Sequence, residues 1–178
     1  MKKMNNLLVI IAAAGTGKRF GSNFPKQYSK LNGKSVIERS VRPFIDSDNV
    51  SKIFIAISKD DLEIKNQDFY NSKKIELVFG EDTRQKSIFN ALIHAKDNYD
   101  YVITHDAARP NIIEEDILNL LHDIEETGAS CSYLFTPVYD SIKETFTKDK
   151  NKYHLVQTPQ ISKFKDLKLS LKKCIDEN

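Results

Sequence analysis

The chain has 178 residues, a formal net charge of +2, and 40 % hydrophobic against 29 % charged residues. That balance suits one compact domain with a buried core, and a charge so near zero gives no ground to expect nucleic-acid or membrane-surface binding. The two cysteines (Cys131, Cys174) and four histidines fall at no metal-ligand spacing, so neither a zinc site nor a disulfide framework is expected. Buried or partly buried thiols in a reducing, cytoplasmic compartment are expected instead.

Residues 7–13 (LLVIIAA) are continuously apolar, the pattern of a central parallel strand covered on both faces. The basic Met1-Lys2-Lys3 ahead of them resembles the start of a short secretory signal. The apolar stretch is at the low edge of length for one, and it runs straight into a glycine-containing loop at 15–25, as nucleotide-binding α/β domains do. No stretch approaches the roughly 20 apolar residues of a membrane helix.

Residues 35–46 read as a helix with Ser35 as N-cap and Glu38 as its capping-box partner. Pro43 is expected to kink or shorten it. A strand at 52–58 and a weaker one at 75–79 follow, then a helix at 85–96 capped by Asp82 or Thr83, with Ile88, Phe89, Leu92 and Ile93 on its inner face. Residues 101–104 form a short strand ending at His105-Asp106. An amphipathic helix at 114–126 (Ile117, Leu120, Leu121, Ile124) closes at Gly128, and 130–136 is the last clear core strand. Residues 138–158 alternate weakly and carry the charged stretch 148–152, so they are expected to project as a β-hairpin arm before a last helix at 163–175. Strands alternating with helices predict an α/β fold in a single domain, 1–178, with a Rossmann-like, mainly parallel sheet. Ligands of such sheets sit at the carboxyl ends of the strands, where 13–26, 80–87 and 105–110 fall.

The first of these clusters reads AAGTGKRFG at 13–21, followed by Pro25-Lys26-Gln27. Small residues let successive backbone N–H groups approach an anion, and Arg19 and Lys26 add positive charge. A Walker A loop is excluded, because Ala12 stands where its first glycine should be and Arg19 replaces the magnesium-holding Ser/Thr. The Rossmann fingerprint fits only in Gly15-Thr16-Gly17; its third glycine is displaced to Gly21, and no acidic ribose partner is evident.

The loop, with PKQY at 25–28, resembles the signature of the 2-C-methyl-D-erythritol 4-phosphate cytidylyltransferases, shared by the ribitol-5-phosphate cytidylyltransferases. GEDTRQKS at 80–87, HDAARP at 105–110 and QTPQ at 157–160 continue the match in order. The resemblance implies a sheet of the nucleotidyltransferase type and transfer of CMP from CTP to a polyol phosphate, with Mg2+ as the metal. It also implies roles. Arg19 and Lys26 would stabilise the transition state at the α-phosphate. Ala13, Ala14, Gly15, Gly80, Asp82 and Ser87 would form the cytidine pocket. Asp106 would lie by the metal and the ribose, and Arg109 would contact the substrate phosphate. Ser141, Lys150 and Thr158 would bind the polyol phosphate from an arm that reaches into a second copy of the chain, making a homodimer.

Three positions depart from the family pattern. Glu81 stands where a second glycine is usual, which would be costly if the backbone there needs a positive φ. Lys150 stands where arginine is usual, keeping the charge but losing the bidentate fork. The sequence ends at Asn178, whereas the family continues with a Thr-Asp motif, a strand, a lysine and a helix, so the C-terminal part of the domain is expected to be missing. 2-C-methyl-D-erythritol 4-phosphate is the acceptor the resemblance favours. The alternatives are ribitol 5-phosphate and a non-catalytic CTP-binding remnant.

Overall fold

The first strand, β1 (Leu7–Ala12), has residues 7–11 wholly buried. The computed structural model describes residues 6–15, 25–96 and 99–177. Leu7, Val9 and Ile11 belong to one hydrophobic cluster and Leu8 and Ile10 to another, on the opposite face. The apolar run is therefore continuous because the strand has no solvent face. Beyond the short hairpin β2 (Lys30–Leu31) and β3 (Lys34–Ser35), helix α1 (Val36–Asp46) and strand β4 (Val50–Ile57) follow. Next come β5 (Ile75–Phe79), α2 (Arg84–His94), β6 (Tyr101–Asp106), α3 (Glu114–Thr127), β7 (Cys131–Pro137), β8 (His154–Lys163) and α4 (Phe164–Asp176). Helices α1 and α3 supply Ile37, Val41, Phe44, Ile117 and Ile124 to the first cluster; α2 and α4 supply Ile88, Leu92 and Phe164 to the second. The result is a helix–sheet–helix sandwich.

The six-stranded sheet has the order β5-β4-β1-β6-β8-β7. β5, β4, β1 and β6 are parallel, while β8 runs antiparallel to both β6 and β7. The chain builds outward from β1 through β4 to β5, then crosses to β6 on the other side of β1. That reversal opens a crevice at the carboxyl ends of β1 and β6, the preferred ligand position in such sheets.

The expected α/β architecture and helix positions stand, with five corrections. The hairpin 138–158 is not purely a projection: β8 enters the sheet between β6 and β7, Ile161 is fully buried, and Ile103 pairs with it across β6. The residues expected as the last core strand form the exposed edge strand β7, and the arm proper is the outer half of β7 and β8 with the turn between them. On α2, Ile93 is 49 % exposed and the inward positions are Ser87, Ile88, Ala91 and Leu92. Pro43 does not shorten α1, which runs on to Asp46. Both cysteines are exposed rather than buried.

Local chemistry explains the boundaries. The Ser35 hydroxyl accepts from the Glu38 N–H at 3.1 Å, while the Glu38 carboxylate pairs with Lys34 Nζ at 2.9 Å. Asn32 and Gly33, at φ 50° and 80°, join β2 to β3, as a two-residue hairpin turn with both central residues at positive φ requires. Gly128 closes α3 at φ 66°. No helix among the described residues is long and apolar enough to cross a membrane.

If β8 is an interior strand, Ile161→Ala should cost about 2–5 kcal/mol, the range for a truncated core isoleucine. The measurement is the urea midpoint at unchanged m. A loss below about 1 kcal/mol would return this segment to the surface.

Candidate active site

At the carboxyl ends of β1 and β6 lies an open cleft of about 470 Å³, walled by residues 12–15, Lys26, Gln27, the 81–84 turn, Ser87 and residues 106–108. Its floor is made by small residues in close contact. The Gly80 N–H donates to the Ile57 carbonyl at 2.8 Å, locking the end of β5 to that of β4. A Cβ at Gly80 would lie 2.4 Å from the Ala14 methyl and 3.0 Å from Ser87 Oγ. Only glycine lets these strand ends approach so closely.

Ser87, buried one turn into α2, spends its hydroxyl on this turn: it accepts from the Glu81 N–H at 2.8 Å and lies 2.8 Å from the Thr83 carbonyl. Thr83 rather than Asp82 caps α2, accepting from the Lys86 N–H at 3.2 Å, while Asp82 pairs with Lys86 Nζ. Glu81 is not at positive φ, so the strain expected there does not arise. Beneath the first loop, buried Gln27 donates from Nε2 to the Ala13 carbonyl at 3.0 Å and fixes where β1 ends. Lys26, one residue earlier, lines the cleft. The N-terminus of α2 also faces it, adding the positive end of a helix dipole to these cations.

Asp106 closes the far side. Its carboxylate receives Arg84 Nε at 2.8 Å and Arg109 Nε at 3.1 Å. Burial works against its charge, but the two guanidiniums outweigh burial and hold it below the usual carboxylate range. Arg109 also donates to Gln157 Oε1 on β8.

Under this surface His105 is fully buried, its ring edge-on to Phe44 at 5.4 Å. Its Nε2 lies 3.0 Å from the Arg109 carbonyl, which can only accept, so Nε2 carries the proton. Nδ1 therefore accepts from the Thr158 hydroxyl at 3.0 Å. Thr158 Oγ1 in turn accepts the Asp106 N–H at 3.3 Å. Burial pushes the imidazole down to about 4, so the ring is neutral near pH 7.

Of the residues marked by the sequence, Ala13, Ala14, Gly15, Lys26, Asp82, Ser87 and Asp106 meet at this cleft, with Gly80 beneath it. Arg109 and Thr158 line a neighbouring cleft of about 500 Å³ between residues 109–111 and β7–β8. Ser141 and Lys150 are exposed on the arm, where Lys150 Nζ bonds the Tyr139 carbonyl. Arg19 lies outside the described residues. Arg84, Gln27 and His105 carried no assignment beforehand. Arg84 was legible as the residue one helical turn before Ser87 on the same face, and His105 as the period-two neighbour of core residue Ile103. Among the described residues no group of three or more His, Cys, Asp or Glu side chains is gathered for a metal ion.

The family model for 2-C-methyl-D-erythritol 4-phosphate cytidylyltransferase (IspD) matches residues 7–178. A protein of that name from Wigglesworthia glossinidia brevipalpis is 37 % identical over 169 residues, covering 90 % of this chain and 72 % of the relative. One from Haemophilus ducreyi is 34 % identical over 176 residues, with 96 % and 76 % covered. The crystal structure of the Francisella tularensis 2-C-methyl-D-erythritol 4-phosphate cytidylyltransferase superposes with a TM-score of 0.81 at 32 % identity, covering 97 % of this chain and 79 % of that one. A 4-diphosphocytidyl-2C-methyl-D-erythritol synthase from Anaerococcus prevotii superposes at 0.84 and 25 % identity, covering 97 % and 76 %.

Two outcomes test this geometry. Gly80→Ala should destabilise the protein by about 1–3 kcal/mol, as an overpacked contact does, read as a lower urea midpoint. The second concerns pH. The unfolded chain protonates His105 near 6.5 and the folded protein only near 4. The stability from the neutral ring is thus complete above about pH 6.5 and is lost as pH falls toward about 4, by about 3 kcal/mol. Urea unfolding across that window should show the loss in the parent protein and lack this share of it in His105→Phe.

Proposed function

The chain belongs to the 2-C-methyl-D-erythritol 4-phosphate cytidylyltransferase family and is accordingly a CTP-dependent nucleotidyltransferase, and we propose that it transfers CMP to 2-C-methyl-D-erythritol 4-phosphate in the cleft at the ends of β1 and β6. The observation that carries this reading is the meeting, at the sheet's reversal point, of the 13–15 loop, the 80–87 turn, Lys26 and Asp106. Ribitol 5-phosphate and the non-catalytic remnant lose ground because the relatives share the methylerythritol name.

In this reading CTP lies with its cytidine against Ala13, Ala14, Gly15, Gly80, Asp82 and Ser87 and its phosphates toward Lys26 and Arg19. The polyol phosphate enters from the neighbouring cleft beside Arg109 and Thr158. An oxygen of its phosphate attacks the α-phosphorus in line, forming the new P–O bond as the bond to the β-phosphate oxygen breaks and pyrophosphate leaves. The nucleophile is already an anion, so no base is needed. Lys26 and Arg19 neutralise the charge that grows on the transferring phosphoryl group. A divalent cation fits if it brings most of its oxygen shell as triphosphate and water, as Mg2+ does. Asp106 is the carboxylate that would hold it, and when bound it would offset the phosphates' negative charge.

The arm supports assembly with a second copy. Phe135, Tyr139, Phe146 and Leu155 are all more than half exposed there, an apolar surface suited to a two-fold partner. In that dimer Ser141 and Lys150 would reach the other copy's acceptor side. Cys131, an exposed cysteine, suits a cytoplasmic location.

Pyrophosphate release from CTP and Mg2+ should require 2-C-methyl-D-erythritol 4-phosphate and be far slower with ribitol 5-phosphate. Lys26→Ala and Arg19→Ala should each lower kcat by about 10²–10³-fold with little change in CTP affinity. Equal rates with both acceptors, or near-normal turnover in both variants, would defeat the assignment.

A further inference from the structure

The two substrates of this reading occupy separate clefts, and one short turn forms the wall between them. Asp106, Ala107 and Ala108 line the nucleotide cleft, while Arg109 lines the arm-side cleft. Where that turn sits relative to β8 therefore sets the distance between the attacking phosphate and the α-phosphorus. Transfer in line is sensitive to such distances; a displacement of about 1 Å can cost about 10²-fold in rate.

The turn is held from below at successive points. The Ser40 hydroxyl donates to the Ala107 carbonyl at 2.9 Å. The Ala107 N–H donates to the Ala12 carbonyl at 3.2 Å, and Arg109 reaches Gln157 on β8. Two more anchors run through His105: its Nε2–H holds the Arg109 carbonyl at 3.0 Å, and its Nδ1 orients the Thr158 hydroxyl, also at 3.0 Å, so that Oγ1 faces the Asp106 N–H. Each of these groups has one arrangement that satisfies the rest, because the carbonyl cannot donate and the amide cannot accept. The ring is sealed from solvent and stands edge-on to Phe44, so water cannot substitute for either bond.

We propose that His105 is a positioning residue for CMP transfer: as the Nε2–H tautomer it clamps the Asp106–Arg109 turn of β6 to Thr158 of β8 and so fixes the alignment of the two substrate clefts. The inference rests on the proposed function for its kinetic consequence, but the hydrogen-bonded relay stands on the structure alone.

His105→Phe keeps the ring's bulk and its contact with Phe44 but removes both bonds. It should lower kcat by about 10–100-fold while KM for CTP, whose base-side contacts in this reading lie on the 13–15 loop and the 80–87 turn, changes by less than about threefold. Thr158→Val should lower kcat similarly, and Thr158→Ser, which keeps the hydroxyl, should be impaired less than Thr158→Val. The double variant of Phe at 105 and Val at 158 should be no slower than the worse single one, since one relay can be broken only once. On the unmodified protein, 15N NMR of the imidazole near neutral pH should show a proton on Nε2 and none on Nδ1. A normal kcat in His105→Phe, additive losses in the double variant, or an Nδ1–H tautomer would each overturn the proposal. If the His105 variants fail to fold, the Thr158 pair and the tautomer still decide it. If the parent protein transfers no CMP, the proposed function fails, and the NMR measurement alone judges the relay.

Discussion

A strand with no solvent face is the constraint on which the rest of this structure depends. Residues 7–11 of β1 are wholly buried, with partners hydrogen-bonded on both edges and helices on both faces. Burying such a strand commits β4 to one side and β6 to the other, and puts the chain's reversal at β1. The crevice this opens at the carboxyl ends is a consequence of topology before any polar residue is considered. The ends of β1, β4 and β6 are also held by their own ladders.

The cleft itself is made by two opposite demands met at adjacent positions. At its floor the backbone must come close, and small residues permit it: Gly80 sits where a single methyl would collide with Ala14. At its walls charge must be concentrated without being neutralised by solvent. Lys26 and the N-terminus of α2 face one way; Arg84 and Arg109 hold Asp106 on the other. Together the guanidiniums keep this carboxylate ionised despite its burial, which an isolated aspartate in that position would resist. In the proposed reading Lys26 and the N-terminus of α2 would meet the nucleotide's phosphates, the arrangement that makes electrostatic stabilisation effective in transfer to phosphorus.

Beside this half lies the arm. β8 lies between β6 and β7, so it belongs to the core at its Thr158–Lys163 end and to the arm at its other end. The same strand that supplies Ile161 to the interior carries Gln157 to Arg109 and, farther out, Leu155 and His154 to the exposed arm. His154 lies between Tyr133 and Phe135 there, an aromatic surface standing outside the fold's own core.

The amino-acid sequence by itself determined the elements whose signals are local. β1 announced itself by an unbroken apolar run, α3 by its periodic Ile117, Leu120, Leu121 and Ile124 and its closing Gly128, and α1 by the Ser35 cap. The cleft residues were legible because three loop motifs fall at the ends of β1, β5 and β6. What only the tertiary structure decided were matters of neighbours. Residues 154–163 carry no stronger strand pattern than the arm they extend from, and they become core because β6 on one side and β7 on the other complete their hydrogen bonds. Ile93 follows Phe89 at helical spacing yet faces water, since the stripe that meets the sheet runs through Ile88, Ala91, Leu92 and Ala95. The fate of Thr158 lay in none of its adjacent residues: its hydroxyl is buried against His105, a residue 53 positions away. Periodicity reports which face of an element is apolar, but burial and hydrogen-bond direction are set by which elements come to lie beside it.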